Sequence, residues 1–163
     1  MSALKIFLLS SFFLSLSEAH ALTWTATQLK DFEAKYSKGL PPKSQGTEQV
    51  WDTALGLAAQ FKSAKITTWI LQHDPESGIQ TAWYRYDLMK LLETNGPQTL
   101  EEASKLNKDK NCLLHWLIPE NKLVEKDTVL KALQKIPGPH SQAYQKAVEA
   151  KKSGVYPRSN ACK

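Results

Sequence analysis

Backbone breakers recur along this chain at intervals that leave room for helices and for little else. Gly39 to Gly46, Asn95 to Pro97, Asn107 to Asn111, Pro119 to Lys122 and Pro137 to Pro139 each combine residues that turn or stop a backbone. Between them the apolar residues return every three or four positions, the period of a helix with one buried face. Thr25 and Gln28 have the spacing of a capping box, opening a helix over about 26–37 with Leu29, Phe32 and Tyr36 on one side and Gly39 as its stop. From Thr47, the residues Val50, Ala54, Leu57, Ala58 and Phe61 form the clearest amphipathic face. The expected fold is all-α: a compact globule of six to seven short helices.

One segment reads two ways. Ile66 to Leu71 is rich in β-branched residues, and with Ile79 to Tyr86 it makes the alternative of a single β-hairpin around residues 66–86. Asp74-Pro75-Glu76 favours helix instead. It supplies an N-cap, a first-turn proline and an acid beside the positive end of the helix dipole. A helix there places Ile79, Ala82, Trp83, Tyr86 and Met89 inward and stops at Asn95-Gly96; Tyr84 and Arg85 then fall on the outward side. Thr99 with Glu102 repeats the capping-box spacing, and Cys112 to Ile118 is apolar nearly all round. Asp127 is placed to cap a helix carrying Val129, Ala132, Leu133 and Ile136, and a last helix is expected near 141–153.

Residues 1–21 have the layout of an export signal: Lys5, an apolar run from Ile6 to Leu16, and Ala19-His20-Ala21 as a small-x-small cleavage site. The apolar run is too short for a membrane crossing, which needs about 20 residues. Cleavage leaves 22–163 as a single helical domain, exported to a periplasm or beyond the cell. Cys112 and Cys162 are the only cysteines, and in an oxidising compartment they read as one disulfide tethering the C-terminal tail.

Catalytic signatures with local spacing are missing. There is no G-x-S-x-G elbow, H-E-x-x-H pair, phosphate-binding glycine loop or C-x-x-C pair. The titrating candidates are His73 beside Asp74, and His115 three residues after Cys112. Capping and packing roles account for them better than catalysis does. No metal or cofactor is expected, because Cys112 and His115 offer at most the beginning of a ligand set.

Charge is distributed unevenly. From Leu22 to Leu100 eight basic residues balance eight acidic ones, whereas from Glu101 to Lys163 eleven lysines and Arg158 face seven acids. Lys105, Lys108 and Lys110 cluster at a turn. Lys122, Lys126, Lys131 and Lys135 accompany the next helix, and Lys146, Lys151, Lys152 and Arg158 follow in the last helix and tail. Such a half attracts polyanions, and lysine rather than arginine points to diffuse charge attraction. The expectation is an exported, non-enzymatic binding or effector protein engaging phospholipid or phosphoinositide head groups, or an acidic protein surface. Nucleic acid is a weaker candidate, since no recognisable module is present. The alternatives are an exported hydrolase of carbohydrate or peptide, and a structural or inhibitory protein-interaction module.

Overall fold

In a computed structural model, residues 23–73, 78–118 and 123–151 are described, together with Tyr156 and Cys162. The expected leader at 1–21, and Asp74, Lys122, Lys152 and Arg158, lie outside the described residues. Seven helices and no strand occur among those described: α1 Ala26–Lys35, α2 Glu48–Phe61, α3 Ala64–Leu71, α4 Gly78–Leu106, α5 Asn111–Leu117, α6 Leu123–Gln134 and α7 Pro139–Ala150. Residues 66–71 and 79–86, the two arms of the hairpin alternative, are both helical.

Local chemistry sets the helix ends. At α1 the Thr25 hydroxyl accepts from the Gln28 amide while the Gln28 side chain accepts from the Thr25 amide, completing the capping box. Ser63 caps α3 by accepting from the Ile66 amide, and donates its own hydroxyl to Glu33 of α1 at 3.0 Å. Lys62, between α2 and α3, takes a left-handed φ of 51° that lets the chain turn in two residues. Pro139 opens α7, where its missing N–H costs nothing.

α4 carries the architecture. It lies against α2, α3, α5, α6 and α7, and it bends at Asn95, whose φ of −140° is not helical. Pro97 follows, with no N–H to continue the first arm's ladder. The expected stop at Asn95-Gly96 falls at this break, where two helical arms meet across the non-helical Asn95. The expected cap at Thr99 does not form: the Thr99 hydroxyl is buried and donates back to the Asn95 carbonyl at 2.8 Å. Asp127 likewise lies inside α6 and stays exposed, because that helix already runs from Leu123.

One apolar cluster joins all seven helices and the tail. Trp51, Leu57, Ile66, Ile70, Leu88, Leu91, Leu100, Leu114, Val129, Tyr144 and Tyr156 are all at most 1 % exposed within it. The inward face of α4 departs from the expected one: Tyr84 is buried, whereas Tyr86 is 66 % exposed. The buried series 84, 87, 88, 91, 92, 95 is a proper helical stripe, but it includes Asp87. Lys43 supplies the charge that makes burial of Asp87 tolerable.

At the kink the chain requires glycine for space. A Cβ on Gly96 would sit 2.6 Å from both Cδ1 and Cγ1 of Ile136, beyond the end of α6. Gly96→Ala is expected to lower the unfolding free energy by about 1–3 kcal/mol, the usual range for overpacking. Urea denaturation checks this, and Gly96→Ala combined with Ile136→Val should recover part of the loss.

Candidate functional site

Three arrangements gather polar or titrating groups. The first is a buried ion pair. The loop between α1 and α2 is pinned when the Trp51 indole N–H donates to the Pro41 carbonyl at 3.2 Å. That places Lys43 inside, hydrogen-bonded to Asp87 of α4, with its ammonium 5.5 Å from the Trp51 ring centre. Both side chains are nearly enclosed, at 8 % and 1 % exposed. Burial holds the Asp87 carboxyl above its ordinary 3.8. The Lys43 hydrogen bond and charge pull it down, Asp52 pushes it up and Lys90 lowers it slightly.

The second is a run of aromatic and imidazole rings crossing the core. His73 meets Trp51 and Tyr84 edge-on at 4.8 and 5.2 Å; Tyr84 meets Trp116 at 5.6 Å, and Trp116 meets His115 at 4.8 Å. A cavity of about 100 Å³ lies beside this run, lined by His73, Tyr84 and Trp116 and walled by the Cys112–Cys162 disulfide. His115 does not line it. Its Nδ1 lies 2.8 Å from the Tyr156 carbonyl, and because a carbonyl only accepts, Nδ1 carries the proton. The two candidate imidazoles are thus separated by Tyr84 and Trp116. Among the described residues no three His, Cys, Asp or Glu side chains converge as they would around a metal ion.

The third is the lysine-rich C-terminal half, which divides into engaged and open cations. Lys105 is held by Glu101 and Glu102 at 2.7 and 2.8 Å. Its pKa is raised, first by its hydrogen bond to Glu101, and that of Glu101 is lowered by the same contact. Lys110 donates to the Ser104 hydroxyl at 3.3 Å and lies over the Tyr144 ring. Burial raises the Tyr144 phenol to about 12, so it stays neutral beneath that cation. Lys126 donates to the Lys151 carbonyl, and the Lys151 ammonium lies 5.2 Å from the Tyr156 ring centre. Lys108, Lys131, Lys135 and Lys146 are exposed.

Lys131 and Lys135 border a groove of about 670 Å³ between the α4 kink and the end of α6. Its buried residues are Leu92, Gly96 and Ile136. Glu93 and Thr94 form its exposed α4 margin, and Thr128 with the two lysines its α6 margin. The charge count exposed the lysines but not this groove, which needs the kink at Asn95 and the closeness of Gly96 to Ile136. Lys43 and Asp87 were likewise missed: nothing local in the sequence distinguishes a buried ion pair from two surface charges.

Compared with family models, curated proteins and solved structures, the chain matches none.

Proposed function

We propose that this is an exported, non-enzymatic binding protein whose α6–α7 surface engages an anionic partner, with acidic phospholipid head groups as the leading class. The observation that carries the reading is the imbalance along 126–151, where five lysines stand with only two carboxylates, Asp127 and Glu149. Lys131, Lys135 and Lys146 of this stretch are exposed and enter no ion pair among the described residues. Three point charges at a surface favour an extended anionic array over one bidentate ligand. The Cys112–Cys162 disulfide accords with folding in an oxidising compartment, and no described helix is long and apolar enough to cross a membrane.

Sedimentation with phosphatidylcholine vesicles containing graded phosphatidylserine, at low and physiological salt, tests this. Binding should rise with anionic lipid and fall with salt. Reversing Lys131, Lys135 and Lys146 to Glu should weaken it by at least about a hundredfold, since each lysine near such a surface contributes about 1 kcal/mol. Binding that ignores salt, or survives the triple reversal, would overturn the reading.

A further inference from the structure

The groove at the α4 kink has a chemistry that diffuse charge attraction does not require. Its apolar lining consists of the buried Leu92 and Ile136, the half-buried Ala132 and the exposed Pro97 and Pro137, set among polar margins. The cations that line it, Lys131 and Lys135, lie on one margin, while Lys62 is engaged by the Thr94 carbonyl at the other. Lys131 is in the last turn of α6 and Lys135 one residue beyond it, four positions apart and so on the same side of the helix end. The opposite margin carries the carboxylate of Glu93. A volume of about 670 Å³ falls within the range of small-molecule sites, about 300–1,000 Å³.

An occupant must match that asymmetry. It needs an apolar body to cover Leu92, Pro97 and Ile136, and a negative group at one end. The charge belongs at the α6 margin, because Glu93 repels an anion placed on the α4 side. Lysine ammoniums act as point charges and need no planar two-oxygen acceptor.

From this geometry we infer that the groove binds a single-chain anionic amphiphile, a long-chain fatty-acid carboxylate, with the head between Lys131 and Lys135 and the chain along Leu92, Pro97 and Ile136. The inference deepens the anionic-partner reading and rests on it for the sign of the ligand charge. It makes the α6 lysines part of a discrete site. The apolar body supplies affinity at about 0.8 kcal/mol per fully buried methylene, so chain length is a sensitive variable.

Titration of the oxidised protein with decanoate below its micellar range, followed by methyl resonances of Ala132, Ile136 and Leu92, tests the assignment. Decanoate should shift these methyls in a saturable manner, and acetate at the same concentration should not. Lys131→Gln with Lys135→Gln should weaken decanoate about tenfold, the sum of two exposed ion pairs. Ala132→Trp should fill the groove and abolish the shifts while retaining every lysine, with its circular dichroism melt checking that it folds. Binding of Ala132→Trp to anionic vesicles should persist, since that surface charge is unchanged. If decanoate fails to move those methyls in the parent protein, or moves the Leu92 and Ile136 methyls in both variants as it does in the parent, the groove assignment is overturned. Salt-sensitive vesicle binding in the same preparation would leave the broader reading standing, so the two failures are distinguishable.

Discussion

Replacing Lys43 by Met should lower the unfolding free energy by about 3–5 kcal/mol at neutral pH, whereas replacing Lys43 by Met and Asp87 by Leu together should cost little or be stabilising by about 1–4 kcal/mol. The asymmetry follows from where the pair sits. Both charges have left water, and their mutual attraction offsets part of that desolvation. Removing the cation alone leaves a buried carboxylate with no ionic partner of its own; removing both leaves an apolar site among Trp51 and Leu88. The pH dependence carries a sign that separates this account from simple loss of packing. Asp87 already has a folded-state pKa above its ordinary 3.8, so the folded chain binds its proton more tightly than the unfolded one. Its contribution to stability therefore falls as pH rises from about 3.8 through the raised value and is constant above it. Without Lys43 the raised value climbs further and the window widens upward. The Lys43→Met penalty should thus be largest at neutral pH and shrink toward pH 4, where Asp87 is increasingly protonated. Denaturant melts of the parent, both single variants and the double variant across pH 4–8 measure it. A penalty independent of pH would show that the lysine acts through its methylene stem alone.

The same pair explains where the sequence was legible and where it was not. Helix content was readable because it rests on local chemistry: the Thr25–Gln28 box, the spacing of Val50, Ala54 and Leu57, and the prolines at 137 and 139 all act within a turn or two. The inward face of α4 was not. Two stripes compete there, one through Trp83 and Tyr86 and one through Tyr84, Asp87 and Leu88, and hydropathy favours the first because the second contains a charge. The choice is reversed by Lys43, 44 residues earlier, which reaches Asp87 from a loop with no periodicity to reveal it. Thr99 failed as a cap for a related reason. Its hydroxyl has two competing backbone partners, an amide ahead or the Asn95 carbonyl behind, and the kink at Asn95 decides for the latter. In the candidate site, the charge excess of the C-terminal half was visible as composition. Which lysines are engaged was not, because the Lys110–Tyr144 contact joins the residue before α5 to α7 and the Lys126–Lys151 contact joins α6 to the residue after α7. The groove itself is tertiary, made where the two arms of α4 meet the end of α6.

Removing the disulfide should produce a comparable loss by a different route. The bridge closes a separation of 50 residues, so Cys112→Ser with Cys162→Ser is expected to lower the unfolding free energy by about 4 kcal/mol in the chain-entropy account, which places the effect in the unfolded ensemble. Tyr156 is a second anchor that the loss of the bridge leaves intact. Tyr156 is fully buried, its hydroxyl donates to the Val148 carbonyl at 2.9 Å, and its own carbonyl accepts from His115. The bridgeless variant should therefore still bury Tyr156 below its melting transition, with the His115 and Tyr156 resonances near their parent positions. Tyr156→Ala with the bridge intact should cost a similar amount, about 3–5 kcal/mol, but through the native state, by emptying the space against Val148. It should also displace the His115 ring, whose orientation that backbone contact fixes. The combined variant then separates the two anchors. Near-additive losses would mean that bridge and ring act on different states. A combined loss well below the sum would mean that the bridge works chiefly by holding Tyr156 in place.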